Sequence, residues 1–465
     1  MKHRLLSMIL SAALILSLSA CSTSSSSDTN KEQQEDSSSG LAIFSKAGSQ
    51  IDGVVSQFKT LHPEIKIQDE RYFDDDEGTG GIKQKAITEL MTGEGPDVLV
   101  LEEKDFPNLH KMLENNIFYD LNTLMDNDSS FKRGDYNKIA MDSGVYEGKQ
   151  AFVPLYFRIP LLITTKSFFL DQQFNIPKDG ISWEDLSQMA KKFLSNPNNN
   201  GKYLFSSNYS FENLIQGSYM QYIDYSERKS SFDSNEFINL LKICKELQPT
   251  VCPVEDSKNV FGDKLVIDGK VGITHDRKAM ELQSLSIGYS IFKQYLKEDM
   301  YLIPFPGNGD AKKVDIPADV GVIAGINVNC KKPKEAFKFL KLLLEKTNQT
   351  RYNKLAGDLY IRGAAVNTAA WKEELGHWMS SEVGGVAGTA YDDNGSTIDY
   401  VSSALSSNVG EELDKLYNGI TKAQINDYNV LTILTEETKA FLSGKATAEQ
   451  TAKAINDKVM LYLNE

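Results

Sequence analysis

The sequence predicts an α/β fold built from more than one domain, and three observations predict it. From Leu41 onward, short apolar runs alternate with apolar stripes at helical spacing. That order builds parallel strands with helices across their faces. The run Val98-Leu99-Val100-Leu101 is apolar throughout, as a strand buried on both faces must be. Finally, 465 residues exceed what a single core organises, so two or three domains are expected.

Taken in order, Leu41–Phe44 is the first strand. Ile51, Val54, Val55, Phe58 and Leu61 then recur at helical spacing, and Pro63 ends that helix. Glu64–Ile67 reads as a second strand. Ile82, Ala86, Ile87, Leu90 and Met91 form another helical stripe, which Gly93–Pro96 break before the strand at 97–101. Leu161–Thr165 is a further strand. Trp183–Leu194 is a helix, with Ser182 and Asp185 spaced as a capping box. Glu236–Leu247 is helical and Lys270–His275 is a strand. Gly321–Val328 is a buried strand, followed by a helix that Pro333 opens, where its missing N–H costs nothing. The last helix carries Ile455 and Val459 behind a second capping box, Thr447 and Gln450. Asn196–Gly201 and Asp392–Ser396 are loops.

Apolar residues make up 41% of the chain and charged residues 25%, and the net charge is −14. That balance argues against nucleic acid, whose partners present a basic face, and weakly against a strongly anionic solute. The first twenty residues differ from the rest. Lys2 and Arg4 make a basic start, and Leu5–Ala20 is a run of sixteen apolar and small residues. It is shorter than the roughly 20 residues a membrane span needs and fits a secretory signal peptide at 1–20. Ser22–Gly40 is polar and serine-rich, with nothing to bury.

Leu18-Ser19-Ala20-Cys21 resembles the lipobox of bacterial lipoproteins. The resemblance implies cleavage before Cys21 and lipid on its sulfur and new N-terminus, with 21–40 as a lipidated, flexible tether. Each buried CH₂ of such a lipid contributes about 0.8 kcal/mol, and the tether reaches roughly 20–25 Å as a coil. Cys244 and Cys252 are eight apart and open to a bridge in an oxidising compartment, which leaves Cys330 over. Neither their number nor their spacing makes a metal site.

The stretch Ile87–Glu103, ITELMTGEGPDVLVLEE, resembles the family-1 extracellular solute-binding proteins of ABC importers, the group of maltose-binding protein. Later landmarks keep the family's order: GKQAFVPLYFRIPLLITTKSFF, SWEDLSQMAKKF, VIDGKVGITHDRKAM, PADVGVIAGINVNCKKPKEAFKFLKLLL, AGDLYIRGAAVN and SGKATAEQTAKAINDKV. Thr165 stands where asparagine is usual, and Tyr360 where proline is. The resemblance spans residues 41–465. It implies a two-lobed, periplasmic-binding-protein-like α/β fold with a multi-crossing hinge and a ligand cleft between the lobes. Lobe 1 is expected at 41–155 with 322–360, and lobe 2 at 160–320 with 365–465. Chain crossings are expected at Tyr156–Ile159, Asp319–Ala324 and Leu359–Val366.

Ligands of open α/β sheets sit beyond the carboxyl ends of strands. Carried over by matched position, the ligand-binding residues implied are Phe44 and Lys46; Glu102, Glu103 and Lys104; Arg158; Asn208 and Tyr209; His275, Asp276 and Arg277; and Arg362. Mixed carboxylates, amides and cations beside aromatic rings suit a mono- or oligosaccharide, whose hydroxyls both donate and accept. Tyr209, Phe211, Tyr219, Tyr222 and Tyr225 form an aromatic-rich region. Tyr219, Tyr222 and Tyr225 read as a packed helix face, and Trp183 as packing within its lobe.

The acids at 74–77 read as a solvated loop, and Asn196 and Asn198 lack the charge a calcium loop relies on. No metal or cofactor is expected. G-x-S-x-G, H-E-x-x-H and Walker patterns are all absent from the sequence, so no catalytic residue is assigned. The expected function is a monomeric substrate-binding lipoprotein of an ABC importer. It would be held on the bacterial cell membrane by its N-terminal lipid and deliver a small polar solute, with carbohydrate the expected class, to a membrane permease. The alternatives are a secreted carbohydrate-active hydrolase and a sensor or adhesin on the same fold.

Overall fold

The computed structural model describes residues 40–465 apart from 46–47, 69–80, 107, 178–179, 208–210, 254–268, 277–279, 308–309, 311–313, 351–361, 381–382 and 392–396. The expected signal peptide, Cys21, the expected tether and the acidic run at 74–77 therefore lie outside the described residues.

Strand β1 (Ile43–Ser45) leads into helix α1 (Gly48–Leu61), and α2 (Gly81–Met91) precedes β2 (Val98–Glu102). β1 and β2 pair in parallel. The strand expected at Glu64–Ile67 is reduced to one parallel bridge between Ile67 and Leu41, because the turn beginning at Pro63 leaves too few extended residues for a ladder. After the short helix α3 (Leu109–Glu114) come β3 (Phe152–Arg158) and β4 (Leu161–Thr164). Next are α4 (Trp183–Ser195), β5 (Tyr203–Phe205), α5 (Phe211–Gln216), α6 (Asn235–Leu247), β6 (Val271–Asp276) and β7 (Tyr301–Pro304). The chain ends through β8 (Pro317–Ile326), α7 (Pro333–Leu344), β9 (Ala364–Ala365), β10 (Lys422–Gln424), α8 (Tyr428–Leu442) and α9 (Ala448–Asn464).

These strands form two α/β lobes. The larger sheet has the order β1-β2-β8-β3-β9, with β10 against β8; the smaller has the order β7-β4-β6-β5. β8 runs antiparallel to both β2 and β3, where the sequence pattern suggested parallel strands throughout. The reason is connectivity. β3 ends at Arg158 and the chain leaves for the smaller sheet; β8 returns from that sheet at the same edge and so enters its neighbours head-on. β2 and β3 are consequently parallel to each other, and Ser45, Glu102 and Arg158 end their strands on one side.

Helix ends follow the sequence. Ser182 Oγ accepts from the Asp185 N–H at 3.1 Å, and an Asp185 carboxylate oxygen accepts from the Ser182 N–H at 3.1 Å. Thr447 and Gln450 exchange the same pair of bonds. Trp183 is fully buried and donates to Ser218 Oγ at 3.2 Å. Tyr219–Tyr222 is a tight 3₁₀ turn rather than a longer helix face, although Tyr219 and Tyr222 are both buried. Cys244, Cys252 and Cys330 are buried free thiols.

One apolar core runs without a break from Val98 and Val100 through Tyr156, Phe157 and Leu161 to Leu282 and Tyr289, tying the larger sheet to one face of the smaller. A second unites Trp183, Leu240, Leu241, Leu434 and Ile455, so α8 and α9 close over α4 and α6. Each such buried side chain contributes about 1.5–3 kcal/mol.

Candidate ligand site

Four of the residues singled out from sequence meet where β3 leaves the larger sheet. Arg158, the last residue of β3, donates from Nε to the Arg362 carbonyl at 3.0 Å and from Nη2 to the Tyr156 hydroxyl at 3.0 Å. Its guanidinium carbon also lies 5.3 Å from the Tyr156 ring centroid. Glu102, at the end of β2, pairs with Lys104 at 2.7 Å. Burial pushes the Glu102 carboxyl up. The Lys104 hydrogen bond and the Lys104, Arg158 and Arg362 charges outweigh burial and hold it below the usual carboxylate range. Burial raises the Tyr156 hydroxyl, with Arg158 opposing the rise. The result is a partly buried patch holding an ionised carboxylate, fixed cations and a neutral phenol. Such a set can hydrogen-bond hydroxyls by donation and acceptance.

Two glycines make room for it. A Cβ on Gly321 would overlap the Tyr156 ring, and one on Gly363 would lie 3.0 Å from that ring's Cδ2. Gly321 also sits where the β8–β3 register slips. The bulge seats the tyrosine and so aims Arg158.

Beside this patch lies a set of amides that the sequence reading missed. Asp319 on β8 is opposite both Arg158 on β3 and Gln424 on β10. The Gln424 amide donates to the Gln216 carbonyl at 2.6 Å, to the Asp319 carboxylate at 3.3 Å and to Asn426 Oδ1 at 3.4 Å. Gln216 ends α5 in the smaller lobe and is 2% exposed. Neither its Oε1 nor its Nε2 has a hydrogen-bond partner among the described residues, and Gln424 Oε1 likewise has none. A lone glutamine in a helix pattern carries no sequence signal of this kind, because burial comes from the opposite lobe.

The other candidates fall as follows. Phe44 is fully buried in the core beside Leu99. Glu103 lies in a 3₁₀ turn, Glu103–Asp105. His275 and Asp276 end β6 with their backbones opposite Leu162 and Leu161, so Asp276 falls just past the Arg158 crossing. Lys46, Asn208, Tyr209 and Arg277 lie outside the described residues. Among those that are described, no group of His, Cys, Asp and Glu could hold a metal ion.

A second contact zone joins the lobes away from the crossing. The His110 ring on α3 stacks on Tyr225, with centroids 3.2 Å apart and planes 9° apart. Arg228 pairs with Glu114 at 3.0 Å. Tyr225 and Tyr462 both donate to Asp427 Oδ2, at 2.9 and 3.0 Å, while Asp427 Oδ1 caps α8. Burial pushes the His110 imidazole down to about 4 despite the opposing charge of Asp427. Around this stack an open pocket of about 630 Å³ is lined by Tyr146, Tyr222, Tyr225 and Lys229, among others. His110 carries no signal in a sequence where it looks like a surface helix position.

The family described as bacterial extracellular solute-binding protein matches residues 54–377. Among solved structures, the sugar-binding protein MalE from Xanthomonas citri is 14% identical, with 92% of this chain and 98% of that one covered at a TM-score of 0.64. An ABC substrate-binding protein from Listeria monocytogenes, solved in complex with cycloalternan, is 16% identical over 91% of this chain and 98% of its own, at a TM-score of 0.57. The GacH receptor of Streptomyces glaucescens, solved unliganded and with acarbose, is 14% identical over 92% and 98%, at 0.56. At these identities the likeness is one of fold. No curated relative is matched by sequence.

Proposed function

The chain belongs to the bacterial extracellular solute-binding proteins, and from that premise we propose that it captures a carbohydrate between its lobes and hands it, unaltered, to an ABC permease. The observation that carries this reading is the polar patch at the crossing. Arg158, Glu102, Arg362 and Tyr156 converge beside buried glutamines from both lobes. Structures of similar fold that hold cycloalternan or acarbose support a carbohydrate. In such an architecture the solute touches both lobes only when they are closed. Binding therefore shifts the hinge equilibrium by the difference in affinity between closed and open forms.

The remaining details belong to the same proposal. The lobe boundaries are 41–155 with 322–360 and 160–320 with 365–465, except that β8, β9 and β10 belong by their pairing to the larger sheet. The site extends from the crossing to Lys46, Glu103, Lys104, Asn208, Tyr209, His275, Asp276 and Arg277, with Phe44 supporting the end of β1. The protein is a monomer without catalytic activity, and residues 1–20 are removed so that Cys21 carries lipid and 22–40 tether the lobes to the cell membrane. Among the described residues no helix is long and apolar enough to cross a membrane, so in this reading the anchor is the lipid.

The test is a thermal-shift screen of mono- to tetrasaccharides against residues 22–465, with the sugars recovered and analysed afterwards. A binder stabilises by RT ln(1 + [L]/Kd), about 2.7 kcal/mol at a hundredfold excess over Kd. A raised melting temperature with intact sugar is the expected result. Cleaved sugar would favour the hydrolase, and no response to any sugar would remove carbohydrate as the solute class. Metabolic labelling with a fatty acid, compared between the full chain and Cys21→Ser, tests the anchor.

A further inference from the structure

His110 and Tyr225 belong to different lobes, and each is fixed by its own lobe before they meet. His110 stands on α3, which buries Leu109, Met112 and Leu113 in the core of the larger lobe. Tyr225 sits at the tip of a hairpin of the smaller lobe, between the short paired strands Ile223–Asp224 and Lys229–Ser230. Within that turn, Asp224 Oδ1 accepts from the Ser226 hydroxyl at 2.6 Å and from the Glu227 N–H at 2.9 Å. Arg228 adopts the left-handed backbone, with φ of 51°, before the second strand begins. The far end of the Tyr225 ring is tied to Asp427 by its hydroxyl, at 2.9 Å. Each ring therefore travels with its lobe, and the stack exists only in the closed arrangement, where the lobes touch.

Closure also gives the imidazole surroundings that suit its neutral form. Asp427 is the charge that acts on it, in favour of a proton, and burial outweighs it. That carboxylate is already committed. Its Oδ2 accepts from Tyr225 and Tyr462, and its Oδ1 from the N–H groups of Asn429 and Val430. The other charges on the packed elements are engaged elsewhere. Glu114 of α3 pairs with Arg228 at 3.0 Å, and Lys229 pairs with Glu227 at 3.2 Å. Lys111 is adjacent to His110 on α3 and does not face its ring. Burial raises the Tyr146 and Tyr462 hydroxyls, so both stay neutral. The open pocket of about 630 Å³ that His110 lines lets solvent deliver a proton without unfolding either lobe.

We propose that the stack of His110 on Tyr225 is a proton-released latch: it favours the closed arrangement of the lobes at neutral pH and lets them part in acid. With the lobes apart, the imidazole returns to its ordinary value of 6.5, against about 4 in the stack. The closed form binds the proton less readily, so the latch contributes fully above about 6.5 and is lost as the pH falls toward 4. At pH 5 the ratio of closed to open molecules is then roughly 20-fold below its value at pH 7. A solute held only by the closed arrangement would be bound more weakly by up to the same factor, whatever its chemistry.

The test needs no solute and so stands apart from the carbohydrate reading. Small-angle scattering of residues 22–465 is recorded at pH 7.5, 6 and 5 for wild type, His110→Phe and His110→Lys, with far-ultraviolet circular dichroism on the same samples. Wild type should keep its helix signal and expand between pH 7.5 and 5. His110→Phe, whose ring takes no proton, should hold one radius throughout. His110→Lys, with a fixed charge, should be expanded already at pH 7.5; should it fail to fold, the comparison of wild type with His110→Phe still decides. A wild-type radius that ignores pH would overturn the proposal, as would equal expansion of wild type and His110→Phe. Loss of helix signal over the same range would also overturn it, because acid would then be unfolding a lobe rather than parting two. Finally, the midpoint of the expansion should match the titration of the histidine ring resonance that His110→Phe removes, and a mismatch would assign the movement to another group.

Discussion

Arg158 shows how one residue can be both hinge and site. Its guanidinium is held by the Arg362 carbonyl and the Tyr156 hydroxyl, both on the larger sheet's side of the crossing. Hydrogen bonds to a charged group contribute about 1.5–3 kcal/mol each. Arg158→Ala should therefore weaken sugar binding about 10- to 100-fold in calorimetry, and Arg158→Lys should recover part of it. Equal affinity in both variants would leave Arg158 a purely structural residue. His110 makes a second prediction at this scale. Its folded pKa lies near 4, below the ordinary 6.5, so the unfolded chain binds the proton more readily. The stacked form is then fully stable above about 6.5 and loses stability as the pH falls from there toward 4. Asp427, Tyr225 and Tyr462 face the ring or its partner, and Asp427 acts in the opposite sense. Acid melts between pH 7 and 4 should show this loss in wild type and lack it in His110→Phe, which keeps the stack. The sequence made Arg158 and Glu102 legible because strand ends are visible in a hydrophobic pattern. It hid Gln216, Gln424 and His110 because their environment is made by the other lobe.

Among the elements, β8 decides the geometry of the site. All ten of its residues are buried, and its slip at Gly321 is what admits the Tyr156 ring. Gly321→Ala should overpack this point and cost about 1–3 kcal/mol in urea unfolding. It should weaken sugar binding as well, because Tyr156 and Arg158 move together. A loss of stability with binding intact would separate the bulge from the site. The capping box of α4 is simpler. Ser182→Ala should cost about 1 kcal/mol and leave affinity unchanged. The order of elements was legible from residue periodicity, including both capping boxes and the helix that Pro333 opens. The direction of β8 was not, since an apolar run reads the same both ways and only the crossing at Arg158 sets it.

For the molecule as a whole, the two contact zones lie on different elements. The crossing is built by β3, β8 and β10, whereas the stack of His110 on Tyr225 and the pair of Glu114 with Arg228 join α3 to the turn after Asp224. Charge pairs as exposed as Glu114 with Arg228 contribute about 0–1 kcal/mol, so Arg228→Met should leave the melting temperature almost unchanged. Small-angle scattering with and without a bound sugar should show a smaller radius of gyration on binding. Identical radii would indicate that the lobes do not move. The continuous core through Tyr156 and Leu161 fits a single cooperative transition in calorimetry. The place of β8 has a further outcome during synthesis. It fills the slot between β2 and β3, yet follows the end of β3 by more than 150 residues. Until that late segment leaves the ribosome, both earlier strands present bare edges, which invite aggregation. Nascent chains halted before Pro317 should bind chaperones, and those extended past Ile326 should let go.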